Sequence, residues 1–169
     1  MTFKTEIEEI ISNSRKVAID LGDNHISSYH FLLALLRSEN VPHTIFNQKE
    51  WDFQYLVKHF QKEKPASLPQ NFYLTKEMER SLKIAGYYAW IYHQSEISAE
   101  HFIFAMLADK RSSAGSLLIQ NGLTYSCFEN EYEKMRKPEK RKWFKAIGEN
   151  NFLVRIGLVK LIYQTIHGA

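Results

Sequence analysis

The sequence predicts an all-α fold: two four-helix repeats followed by a C-terminal helical extension. An internal duplication is the first reason. Ile26-Ser27-Ser28-Tyr29-His30-Phe31-Leu32-Leu33-Ala34-Leu35-Leu36 returns 71 residues later as Ile97-Ser98-Ala99-Glu100-His101-Phe102-Ile103-Phe104-Ala105-Met106-Leu107, with the pattern Ile-Ser-x-x-His-Phe-x-x-Ala-x-Leu kept throughout. A period that long marks a repeated unit of several helices. The second reason is apolar residues at helical spacing on both sides of each block. The third is the scarcity of glycine (7) and proline (4), which disfavours turn-rich β architecture.

The first helix is expected from Thr2 to Leu21, where Phe3, Ile7, Ile10, Ile11, Ala18 and Leu21 trace one stripe and Gly22 stops it. The same stripe, shifted by 71, reads Leu74, Met78, Ser81, Leu82, Ala89 and Tyr92, with Thr75 as N-cap. Ser14 then corresponds to Ala85 and Ala18 to Ala89, small residues that let another helix approach closely. Ser27 and Ser98 are the expected N-caps of the duplicated block, because a serine oxygen accepts from the unpaired N–H groups of a first turn. His30 and His101 fall in that first turn and read as packed, hydrogen-bonded residues. A short third helix follows in each copy, ending near Phe46 and Leu118, and one inserted residue makes the offset 72. Trp51-Asp52 and Leu123-Thr124 then open a fourth helix that contains Leu56 or Phe128.

These elements give a repeat domain over residues 1–136, with repeat one at about 2–60, a linker at about 61–73 and repeat two at about 74–136. Pro65 and Pro69 mark the linker. Residues 137–169 form a basic linker and an amphipathic helix, with Val154, Leu158, Leu161 and Ile162 on its apolar side. The net charge of +3 is unevenly placed. Arg136, Lys137, Lys140, Arg141, Lys142 and Lys145 stand against Glu139 alone, and the residues before them are net negative.

Several function classes are disfavoured by composition. A single cysteine, Cys127, permits no intrachain disulfide, and its apolar neighbours suit a structural thiol. No cluster of Cys, His and carboxylates has metal-ligand spacing, so no metal or other cofactor is expected. His25, His43, His59, His93 and His167 are scattered and no nucleophile stands at catalytic spacing from them, so an enzyme is not expected. There is no Gly-x-x-x-x-Gly-Lys phosphate loop and no Gly-x-Ser-x-Gly elbow. The acidic start after Met1 and the lack of a long apolar run place the chain in the cytoplasm.

The doubled Ile-Ser-x-x-His-Phe block and its flanking helices resemble the N-terminal Clp repeat domain, which precedes the ATPase modules of Clp-family unfoldases and also occurs in free-standing accessory proteins. The resemblance covers about residues 2–136. It implies two repeats related by a pseudo-twofold axis and a free-standing, non-enzymatic domain that binds adaptors, degradation signals or unfolded segments. In some members a Thr-Glu-His repeat holds phosphoarginine, the glutamate taking the guanidinium and a threonine at a helix start lying near the phosphate. The second copy here keeps Glu100 and Thr75, whereas the first has Tyr29 and Lys4 in their places. A phenol cannot accept a bidentate guanidinium, so at most one such pocket remains, and Glu79 opposes a phosphate there.

The partners expected are therefore a protein or peptide, with a Clp ATPase, a Clp protease subunit or a degradation substrate foremost. Thr75, Glu100, Tyr29, Tyr87 and Tyr88 are the candidate contact residues, and Tyr87, Tyr88, Trp90 and Tyr92 are expected to line a groove between the repeats. Two alternatives follow from other features. One is nucleic-acid or anionic-membrane binding through the basic tail. The other is recognition of a sheath peptide in a contractile secretion system.

Overall fold

The computed structural model describes residues 2–48 and 72–136. In chain order the elements are β1 (Thr2–Phe3), α1 (Thr5–Leu21), β2 (His25–Ile26), α2 (Ser28–Leu36), α3 (Val41–Gln48), β3 (Tyr73–Leu74), α4 (Lys76–Ile91), β4 (Glu96–Ile97), α5 (Ala99–Ala108), α6 (Ser113–Gln120) and α7 (Tyr125–Met135). The expected fourth helix of repeat one, all but the end of the 61–73 linker, and the extension after Arg136 lie outside the described residues. The chain divides into two units, Met1–Tyr132 and Glu133–Ala169. In the second, Arg136 donates to Glu133 at 3.4 Å. Among the described residues no helix is long and apolar enough to cross a membrane.

The fold is helical, as the periodicity predicts, with four two-residue strands added. These strands shorten the expected first helix. Thr2 and Phe3 pair as a strand, Lys4 stays extended at φ −65° and ψ 150°, and α1 begins at Thr5. Tyr73, placed in the linker from sequence, pairs as a strand as well.

The pairing is crossed. Thr2 and Phe3 lie parallel to Glu96 and Ile97 of the second repeat, while Tyr73 and Leu74 lie parallel to His25 and Ile26 of the first. One further bond closes each pair: Lys4 N–H donates to the Ile97 carbonyl at 3.0 Å, and Thr75 N–H to the Ile26 carbonyl at 3.0 Å. Under the 71-residue offset these two sets exchange, so the repeats are related by a pseudo-twofold operation and each contributes a strand to the other.

The helix ends repeat with the same fidelity. Asp23 N–H bonds to the Ala18 carbonyl at 2.9 Å, and its counterpart Gln94 to the Ala89 carbonyl at 2.8 Å. Both ends need a left-handed residue after the last turn. Gly22 supplies it at φ 79°, and His93, at the matching position, adopts φ 53°.

The duplicated block forms the centre. Every residue of α2 is buried, as is α5 from Ala99 to Leu107. Such burial requires cover on all sides. Within each repeat α1 packs on α2 and α4 on α5; across the repeats α3 packs on α5 and α6 on α2. Phe31 and Phe102, the phenylalanines of the two motifs, meet at a centroid distance of 4.4 Å, each next to its own counterpart. Ser14, Ala18, Ala85 and Ala89 are fully buried in the α1–α2 and α4–α5 packing.

α6 packs closely on α5 at Gly115. A Cβ on Gly115 would fall on the Met106 carbonyl, 1.9 Å from its oxygen, and backbone cannot move aside as a flexible side chain does. Gly115→Ala is therefore expected to destabilise the domain by about 1–3 kcal/mol. Gly86→Ala is the control, because a Cβ there meets Ile97 Cδ1 at an ordinary 3.5 Å. That change should be neutral or stabilising by up to about 1 kcal/mol, as helix propensity dictates. Urea midpoints of the two variants measure the difference.

Candidate functional site

The crossed strands bring the starts of several helices together at two junctions. At the β2–β3 junction Thr75 caps α4, its Oγ1 accepting from Met78 N–H at 3.3 Å. The Glu77 side chain then reaches across to the first repeat. Its Oε1 accepts from Ser28 N–H at 3.3 Å, Ser28 Oγ at 3.0 Å and Ser113 Oγ at 2.8 Å. Its Oε2 accepts from Ser113 N–H at 3.0 Å. Ser28 Oγ also accepts from Ala114 N–H at 3.3 Å, tying the starts of α2 and α6 to one carboxylate. A negative group at two helix starts is favourable, since both present unpaired N–H donors and the positive end of a dipole.

Tyr29, the next residue of α2, is buried. Burial first, and the Asp23 carboxylate second, push its phenol well above the ordinary tyrosine value, so it remains neutral. His30 beside it is held at both ring nitrogens. Ser27 N–H donates to Nδ1 at 3.1 Å, and Nε2 lies 3.1 Å from Asp23 Oδ2. Because Nδ1 accepts, the ring proton sits on Nε2, and the histidine acts as the reciprocal partner of a capping box. His101 accepts from Ser98 N–H at 3.0 Å in the same way.

At the β1–β4 junction the counterpart of Glu77 is Glu6, whose Oε1 accepts from Ala99 N–H at 3.2 Å. Glu100 follows in α5 and is only 5% exposed. Tyr132 OH donates to it at 3.4 Å and accepts from Gln94 Nε2 at 2.9 Å.

The residues singled out from sequence are thus distributed by the strand exchange. Thr75 stands with Ile26 ahead of the helix that carries Tyr29, and Lys4 stands with Ile97 ahead of the helix that carries Glu100. Thr75 and Glu100, members of one copy in the chain, belong to different junctions. Glu79 is exposed on the first turn of α4. The aromatic run of α4 also divides. Tyr88 and Tyr92 (1% exposed) face inward onto Phe104, at 5.2 and 5.1 Å. Tyr87 and Trp90 lie on the outer side, stacked at 5.9 Å with Trp90 60% exposed. Of the basic tail, Arg136 is described and Lys137, Lys140, Arg141, Lys142 and Lys145 lie outside the described residues. Among the described residues no group of three or more His, Cys, Asp or Glu is placed to hold a metal ion.

Sequence reading missed Glu6, Glu77, Ser28 and Ser113. A signal was present for the first two, which are identical residues at the 71-residue offset.

Residues 2–121 match the family described as Clp repeat (R) N-terminal domain. The chain belongs to that family. As a Clp repeat domain it resembles the Hsp104 N-terminal domain from Candida albicans, with a TM-score of 0.68 and 16% identity over 80% of this chain and 92% of that one. It also resembles the N-terminal domain of ClpV1 ATPase from the E. coli EAEC Sci1 T6SS, with a TM-score of 0.59 and 18% identity over 76% and 82%. A chain described as a peptide from the EAEC T6SS Sci1 SciI protein scores the same, 0.59 at 18% identity over 76% and 85%. A search of curated proteins gives no match.

One ion-pair group fastens the second Clp repeat. Asp109, after the last turn of α5, accepts from Arg80 Nε of α4 at 3.0 Å and from Arg111 N–H at 3.0 Å. Burial works to raise this carboxyl, but the Arg111 and Arg80 hydrogen bonds outweigh it and hold the group below its ordinary value. A carboxyl with a lowered folded-state pKa stabilises the fold above its unfolded value, near 4, and loses that contribution as pH falls through the folded value. Asp109→Asn should lower stability at pH 7 by about 1 kcal/mol. Denaturation curves of variant and wild type should converge in acid.

Proposed function

We propose that this Clp repeat domain binds peptides or partner proteins, without chemistry of its own, as an accessory or adaptor to a Clp ATPase or protease. The observation that carries the reading is the outer side of α4, where Tyr87 and Trp90 stack in contact with solvent, while most other large aromatics among the described residues are buried. An aromatic pair of this kind offers contact area at little cost in side-chain freedom, and such pairs recur at protein contacts. Family membership supports it. So does the presence among similar folds of an ATPase N-terminal domain and a chain named as a secretion-system peptide. Within these 169 residues there is no phosphate loop to drive unfolding.

The preferred ligand is an apolar segment rather than a phosphorylated one. At the β2–β3 junction the N–H groups of Ser28 and Ser113, the donors an external phosphate needs, already serve Glu77. The helix start that carries Glu100 has a carboxylate beside it too, Glu6.

Affinity capture from a lysate of the native host, read by mass spectrometry, tests the proposal. Recovery of a Clp-family ATPase or protease subunit is expected, and Trp90→Ala with Tyr87→Ala should reduce it about tenfold while leaving the helical circular dichroism unchanged. Recovery of no Clp component, or capture indifferent to both substitutions, would rule against the reading. Capture of a contractile-sheath protein instead would move the assignment to sheath-peptide recognition.

A further inference from the structure

The two junctions are equivalent by sequence offset and unequal in strength. Glu77 accepts four hydrogen bonds from two separate segments, Ser28 of α2 and Ser113 of α6. Glu6 accepts one, from Ala99 N–H. The difference lies in the partners. Ala99, at the position of Ser28, has no hydroxyl. Val41, at the position of Ser113 under the 72-residue offset, has none either, and Pro42 after it has no N–H. The Ser28 hydroxyl further joins α2 to Ala114, a bond that the alanine at position 99 cannot reproduce.

We propose that the domain opens on one side only: the β1–β4 junction yields while the β2–β3 junction remains shut. Local opening is governed by the hydrogen bonds and contacts that must be released together. On the yielding side these are the two-residue β1 pairing, the Lys4-to-Ile97 bond, the Phe3 ring stacked 6.5 Å from Phe102 and the single Glu6 bond. Opening there frees the backbone edge of β4 and the Ala99 N–H at the start of α5. An extended peptide pairs with such an edge as a strand does. That use rests on the peptide-binding reading above; the opening itself does not.

Amide hydrogen exchange of the full chain, without any peptide, separates the two. Lys4 and Ala99 amides should exchange about tenfold or more faster than their counterparts Thr75 and Ser28. Glu77→Ala should bring Thr75 and Ser28 up to the faster rate, whereas Glu6→Ala should leave the difference in place. Ala99→Ser restores a hydroxyl beside Glu6 and keeps the fold independent of the Glu77 substitution, and it should slow exchange at Lys4 and Ala99. Equal or reversed rates in the wild type would overturn the proposal. So would an Ala99→Ser variant with unchanged rates, which would trace the fast exchange to something other than the missing hydroxyl.

Discussion

The structure depends on one reciprocal contact: each repeat completes the helix starts of the other. Helix starts leave donors that must be satisfied, and in most domains a residue just before the helix does so. Here the carboxylates of Glu6 and Glu77 arrive from the opposite repeat, onto Ala99 N–H and Ser28 N–H. The strands are exchanged along the same lines. Each central helix is capped by the serine and histidine of its own repeat, and the opposite repeat supplies the acceptor for one further first-turn N–H.

The motif residues follow from that position. A helix enclosed on all sides has no solvent to pair its first-turn donors, so its cap must be internal and compact. Ser27 and Ser98 begin the helices, and His30 and His101 return an acceptor nitrogen to the serine N–H. The phenylalanine that follows meets its own counterpart at the centre, where a pseudo-twofold axis requires a side chain able to pack against itself. The motif is thus largely a statement about the interface between the repeats. Its chemistry is structural, whereas Tyr87 and Trp90, on the outer side of α4, take no part in that interface.

Symmetry also makes the departures informative. The left-handed position held by Gly22 in one copy is held by His93 in the other, and the serine that anchors Glu77 is an alanine opposite Glu6. Each exchange keeps the backbone path and alters only local strength. Gly115 corresponds to His43 under the 72-residue offset, and there the close packing of α6 on α5 leaves no room for a side chain.

By itself the sequence determined the class of fold, the duplication, the caps at Ser27, Ser98 and Thr75, and the inward stripe that contains Ala85, Ala89 and Tyr92. These rest on local hydrogen bonding and on the 3.6-residue period, which a linear pattern records. The stripe also held the reason that Tyr88 and Tyr92 are interior while Trp90 is outside, since residues 85, 88, 89 and 92 share one helix face. Only the tertiary structure decided that Phe3 and Tyr73 form strands, that Thr75 and Glu100 part company, and that Glu77 serves the first repeat. A two-residue strand has no periodicity to detect, and a carboxylate that caps a helix 49 residues away leaves no mark at any fixed spacing. Repetition in a chain reveals which segments are alike; which copy each segment packs against is settled in space, by where unpaired donors find acceptors.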